Sequence, residues 1–256
     1  MRLSKVLVAL ALIMVLSAFI VWFVMNSGQS SPTMIKQNVI DISWPNCAIK
    51  YAGSNFGIVG VTGGLDFHPN KCLFEETQLF ESYSLYMNTG YPGADNKHAR
   101  SYIHTPKACS STDNLCHAYN YGYNAATYAI KYSNSQSVHT FTWWLDVESS
   151  NSWTDNSLQN RAVLAGMVDS IKNNTFLTNI GYYSYPGQWN NITGHWQNGY
   201  PGWVATGTAS PTAAKESCSR PGFTNGTIWI SQYTTNLDEN IVCSDDYFNH
   251  LKPAKY

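Results

Sequence analysis

Two carboxylates dominate the chemistry open to this chain. Asp146 and Glu148 lie two apart in Thr142-Trp-Trp-Leu-Asp-Val-Glu-Ser-Ser-Asn-Ser-Trp153. The run begins aromatic and apolar and ends polar, which predicts a buried strand opening into a loop. A period of two puts both acids on one face. Like charges this close drive their pKa values apart, so one carboxyl stays protonated near neutral pH. A protonated carboxyl beside an ionised one is what general-acid cleavage of a glycosidic bond requires. The bare pattern Asp-x-Glu is common, and its bland reading is a strand end with two solvated acids. The flanking Trp143, Trp144 and Trp153 distinguish this copy, because indole faces suit sugar rings as well as a core.

The elements around the pair suggest how it is positioned. Strands are expected at Val39–Ser43, Phe56–Thr62, Ser84–Asn88, Phe141–Val147, Asn179–Ser184, Gly202–Thr206 and Thr227–Tyr233. Helical spacing appears over Leu73–Tyr83, with Glu75, Glu76 and Glu81 on its solvent face, and again over His117–Lys131 and Ser157–Lys172. A shorter helix is expected near Gln188–Gly194. Alternating strands and helices with tight Gly/Pro turns indicate a parallel α/β fold. Seven or eight strands in a domain of this size favour an irregular (β/α) barrel, TIM-like, with weak helices in the last third. In such barrels, polar groups at the carboxyl ends of strands meet at one mouth. Asp41, Ser43, Asn88, Asp146, Glu148, Tyr183, Gln232 and Tyr233 all fall at or near expected strand ends. Trp44 and Trp144 are candidate sugar-stacking rings.

Composition sets the setting. Of 256 residues only 12% are charged, and the net charge is −1, so nothing steers the chain to nucleic acid. Arg2 and Lys5 precede an uncharged run from Val6 to Met25, long enough to span a bilayer. The expected organisation is therefore a cytoplasmic segment at 1–5, a signal-anchor at 6–25, a linker at 26–37 and a single domain at 38–256. That domain would be extracytoplasmic and membrane-anchored, or secreted if the apolar run is cleaved. Six cysteines, Cys47, Cys72, Cys109, Cys116, Cys218 and Cys243, all follow the anchor. An even count in an exported domain suggests three disulfides, and fifteen pairings are possible. Sequence order suggests Cys47–Cys72, Cys109–Cys116 and Cys218–Cys243 as local staples. A zinc site is disfavoured because no C-x2-C pair exists and the histidines are scattered.

Several blocks together resemble the family 25 glycoside hydrolases, the Chalaropsis-type lysozymes. They are Val39-Ile-Asp-Ile-Ser43, Phe56-Gly-Ile-Val-Gly-Val-Thr62, Trp144-Leu-Asp-Val-Glu148, Ile180-Gly-Tyr-Tyr-Ser184, Gly202-Trp-Val-Ala205 and Ile230-Ser-Gln-Tyr233. The strings Asp41-Ile-Ser-Trp-Pro-Asn-Cys47 and Trp143–Trp153 look closer to an exported bacterial branch of that superfamily. The resemblance implies Glu148 as general acid, Asp146 as its partner and as holder of the substrate N-acetyl group, and Asp41 facing them across the mouth. Tyr183, Gln232, Tyr233 and Asn88, at the expected strand ends, are candidate substrate contacts. A further acid usually follows the Gln-Tyr strand. Asp238, Asp245 and Asp246 are the candidates here, and the ending is shorter than the family's usual one.

The implied activity is hydrolysis of the β-1,4 bond between N-acetylmuramic acid and N-acetylglucosamine in peptidoglycan, by a monomer needing no cofactor or metal. The competing expectation is a catalytically inactive cell-wall sugar-binding module on the same barrel, since fold alone does not fix function.

Overall fold

The computed structural model describes residues 39–50, 53–176 and 179–253. The expected anchor at 6–25 lies outside these residues. Among the described residues no helix is long and apolar enough to cross a membrane.

Eight strands close into a barrel: β1 (Val39–Ile42), β2 (Phe56–Gly60), β3 (Ser82–Asn88), β4 (Thr142–Asp146), β5 (Asn179–Ser184), β6 (Gly202–Ala205), β7 (Ile228–Thr234) and β8 (Asp238–Val242). Neighbours from β1 through β7 pair in parallel. The all-parallel expectation fails at the closure. β8 runs antiparallel to both β7 and β1. The physical reason is the connection. Only Thr235-Asn-Leu237 separates β7 from β8, and so short a link makes a hairpin, not a crossover. A two-residue β9 (Lys252–Pro253) adds to the start of β3, below the level at which β4 begins.

The helices are α1 (Leu73–Thr77), α2 (Lys97–Ser101), α3 (Asn114–Ser135), α4 (Ser157–Asn174), α5 (Pro186–Thr193), α6 (Pro211–Ser217) and α7 (Asp246–Asn249). They do shorten in the last third. Asp113 and Asn156 cap α3 and α4 by accepting backbone N–H bonds. These two long helices approach closely because each offers a glycine. A Cβ at Gly122 would meet Val163 O at 2.0 Å, and one at Gly166 would meet Tyr119 O at 2.1 Å. The helix expected over Leu73–Tyr83 stops at Thr77, since Ser82 and Tyr83 already belong to β3. Its Glu76 is buried, not solvated, and receives a 2.7 Å bond from Asn70 Nδ2. Burial pushes this carboxyl up to about 7.

Residues alternate across each strand. Val59, Val61, Trp143, Leu145 and Tyr182 point outward into the core beneath the helices. Val39, Ile58, Trp144, Trp203 and Ile230 fill the barrel interior. Tyr247, on α7, plugs the floor, and its hydroxyl meets Ser84 Oγ at 3.1 Å. Gly181 makes room for the Trp144 ring, which would stand 2.2 Å from a Cβ there. Three disulfides join Cys47 to Cys72, Cys109 to Cys116 and Cys218 to Cys243, the pairs that sequence order favoured. Each pair spanning 25 residues stabilises the fold by on the order of 3 kcal/mol through loop entropy.

Candidate active site

Above the aromatic floor, the next inward residue of nearly every strand is polar. β1 presents Asp41, β3 Asn88, β4 Asp146 with Glu148 just beyond, β5 Tyr183 and β7 Gln232. β8 runs the other way, so its first residue, Asp238, comes up at the same rim, paired directly with Asp41. Facing cross-strand residues share a side of the sheet, so these two carboxylates stand together. Of the three candidates for a further acid, Asp238 is the one at the mouth. Asp245 and Asp246 lie at the start of α7, below the barrel.

Asp146 is 4% exposed and is held on one side only. Asn88 Nδ2 donates to its Oδ2 at 2.5 Å. Thr62 orients that amide by donating to Asn88 Oδ1 at 2.8 Å while accepting from Asn88 N at 2.8 Å. Asp146 Oδ1 is buried without a hydrogen-bond partner among the described residues. Burial, then the charge of Glu148, raises the Asp146 carboxyl well above its ordinary range. Glu148 is partly exposed, and burial followed by the charge of Asp238 raises it too. The loop after it is tied down. Trp153 Nε1 donates to Glu148 O at 2.9 Å, and Ser149 N donates to Gln188 Oε1 at 2.8 Å.

Asp41 contrasts with Asp146, because both of its oxygens are occupied. Gln232 Nε2 donates to Oδ1 at 3.1 Å and to Oδ2 at 3.0 Å, and Asn240 Nδ2 donates to Oδ2 at 2.7 Å. Tyr183 OH donates to Gln232 Oε1 at 2.7 Å, and Trp203 Nε1 donates to Asn240 Oδ1 at 2.7 Å. Burial, then the charge of Asp238, still pushes Asp41 up to about 8. No described basic side chain forms an ion pair with Asp41, Asp146, Glu148 or Asp238. Among the described residues no group of His, Cys, Asp or Glu is arranged to hold a metal ion.

Two expected site residues lie elsewhere. Trp144 is fully buried in the barrel floor, with its ring edge-on to Trp203 and Trp229 and its Nε1 donating to Ser84 Oγ at 3.2 Å. It faces inward as expected, but one layer below Asp146, so it carries no sugar. Tyr233 alternates with Gln232 and therefore points out of the barrel, where its hydroxyl donates to Glu239 Oε2 at 2.7 Å. Trp44, in a 3-10 turn after β1, is 51% exposed at the mouth face. The sequence reading missed Thr62, Trp203 and Asn240. Asn240 follows Asp238 at strand spacing, but Asp238-Glu-Asn-Ile-Val242 has too few β-formers to be recognised as a strand.

Solved structures share this architecture. The catalytic domain of endolysin ply40, from bacteriophage P40 of Listeria monocytogenes, superposes with a TM-score of 0.53 at 16% identity, covering 85% of this chain and 97% of that one. A muramidase from Trichobolus zukalii gives a TM-score of 0.51 at 16% identity, over 83% of this chain and 96% of that one. At such identities the likeness establishes the fold. No curated protein matches the sequence. A family model described as lysozyme-like protein 1 matches residues 57–230, which is more than half of the chain. The chain belongs to this lysozyme-like family and is a glycoside hydrolase, in agreement with the resemblance read from its strand blocks. The matched residues contain Asn88, Asp146, Glu148 and Tyr183, while Asp41 and Asp238 lie outside them.

Proposed function

We propose that this protein cuts the β-1,4 bond between N-acetylmuramic acid and N-acetylglucosamine in peptidoglycan, outside the cytoplasm. The observation that carries the reading is the buried, unpartnered Oδ1 of Asp146 beside Glu148. An acceptor left bare at a desolvated position costs stability unless a ligand completes it.

The substrate's 2-acetamido group supplies the missing donor. Its amide N–H bonds Asp146 Oδ1, which turns the acetamido oxygen toward the anomeric carbon. Glu148, whose carboxyl burial and the charge of Asp238 raise above its ordinary range, gives a proton to the glycosidic oxygen as the C–O bond breaks. The acetamido oxygen closes on the anomeric carbon, and water then opens that ring while Glu148 takes back a proton. Asp41 and Asp238, across the mouth, hold the sugar and the incoming water, and Trp44 offers a ring face to a neighbouring sugar. Proton transfer of this kind contributes about 10²–10⁴-fold to rate. The apolar run at 6–25 would tether the domain to the membrane. Asp238 opposite Asp41 supports the hydrolase reading over an inactive sugar-binding module.

Digestion of purified sacculi, with the fragments identified by mass spectrometry, tests the bond assignment. Muramic acid at the new reducing end is expected. Glucosamine there would mean a glucosaminidase.

A further inference from the structure

Asp41 is gripped by amides that are themselves aimed by a second layer of donors. An asparagine amide can present either its oxygen or its nitrogen to a neighbour. Trp203 Nε1 is a donor only, and it sits 2.7 Å from Asn240 Oδ1. The nitrogen of Asn240 must then face the other way, toward Asp41 Oδ2 at 2.7 Å and Val39 O at 3.3 Å. Asn240 is fully buried and Trp203 nearly so, so no solvent competes for these bonds. The Trp203 ring also packs on Tyr183, 4.4 Å between centroids, and Tyr183 aims the other amide, Gln232. One indole therefore organises both arms that grip Asp41.

We propose that Trp203 and Asn240 are positioning residues for Asp41. They aim its carboxyl into the mouth and favour its charged form, against the burial of the site and the charge of Asp238 that favour the neutral one. The functional half of this inference rests on the hydrolase reading, and the geometric half does not. Trp203→Phe keeps a ring but removes the donor, freeing the Asn240 amide to turn its oxygen on Asp41. Asn240→Leu keeps the volume and removes the amide.

The test uses the full-length protein carrying ¹³C-carboxyl aspartate. The titration of Asp41 is followed in wild type, in Trp203→Phe, in Asn240→Leu and in the double variant. The other titratable groups facing Asp41 are Asp238, Asp146, Tyr86, Tyr183 and Tyr247, and all are retained. We expect the Asp41 midpoint to rise by about half a pH unit or more in each single variant, because each loses a donor to the charged form. The double variant should rise no further than Asn240→Leu alone, since the indole acts through the amide. On sacculi, kcat should fall by about tenfold with KM nearly unchanged, consistent with a group needed in the transition state. Destabilised variants with an unmoved Asp41 midpoint would overturn the proposal and leave Trp203 and Asn240 as ordinary core. A moved midpoint in a protein whose wild type releases no sugar would uphold the positioning and sink the hydrolase reading.

Discussion

Asp41 and Asp146 stand on opposite sides of one mouth, equally removed from water, and the protein treats them differently. Asp41 receives three N–H bonds spread over both oxygens. Asp146 Oδ2 receives the Asn88 amide, and its Oδ1 has no hydrogen-bond partner among the described residues. Burial alone therefore does not tell the two acids apart, because both are buried. What differs is satisfaction. A fully bonded carboxylate is fixed in place, whereas a half-bonded one keeps an acceptor in reserve for a ligand. The lower half of the barrel sharpens the point. There Trp144, Ser84 and Tyr247 satisfy one another and leave no polar atom for chemistry.

The largest effect is expected on the half-bonded side. Asp146→Asn should lower kcat on sacculi by about 10²-fold or more, because an amide cannot both face Asn88 and accept the substrate N–H. The same change should hold or raise Tm, since it replaces a carboxyl whose ionised form burial and the charge of Glu148 disfavour with a neutral amide. A lowered Tm with retained activity would show that Oδ1 has no ligand to accept.

Asn88→Ala comes next. It strips Asp146 Oδ2 of the Asn88 amide and the Thr62 hydroxyl of its acceptor. A cost of about 1–3 kcal/mol in chemical denaturation is expected, together with a further rise of the Asp146 carboxyl above its ordinary range. An unchanged titration would break the link between the two strands.

The pH dependence of stability tests the bonded side. The folded-state pKa of Asp41 is raised, to about 8 from 3.8. The folded protein thus binds more protons than the unfolded chain between these values, and stability falls as pH rises from about 4 to about 8. Glu76, raised to about 7 from 4.5, acts in the same direction. Tm should decline across that range, and Asp41→Asn should flatten part of the decline. A Tm that rose with pH in wild type would contradict the sign.

The smallest effect belongs to Tyr233→Phe. Its hydroxyl faces away from the mouth onto Glu239, so at most about 1 kcal/mol of stability should be lost and turnover should be unchanged. A large loss of kcat would return Tyr233 to the site.

Much of this contrast was legible in the chain, and the illegible part has a consistent cause. The Asp-x-Glu strand, its neighbour Tyr183 and the first-strand Asp41 sit in apolar runs with strong β-formers, so period and position located them. Asn179–Ser184 was read with its observed ends. The last strand was not, because Asp238-Glu-Asn-Ile-Val242 reads as a polar loop. Its pairing with β1 and β7 overrides that propensity and brings in Asp238 and Asn240. Trp144 departs from expectation for a different reason. Period two correctly set it on the face of Asp146, but strand spacing does not tell depth along a barrel. Glu76 was assigned to solvent on helical spacing alone, and a helix of one turn against β2 buried it beside Asn70.

The central claim is that Glu148 delivers the proton next to an Asp146 whose Oδ1 waits for substrate. The measurement that meets it most directly is reducing-sugar release from purified sacculi by wild type and by Glu148→Gln, both verified as folded by near-UV circular dichroism. Wild-type release that falls by about 10³-fold or more in the variant, with Tm nearly unchanged, is the predicted result. Equal release from both proteins, or none from a folded wild type on walls of several compositions, would contradict the account.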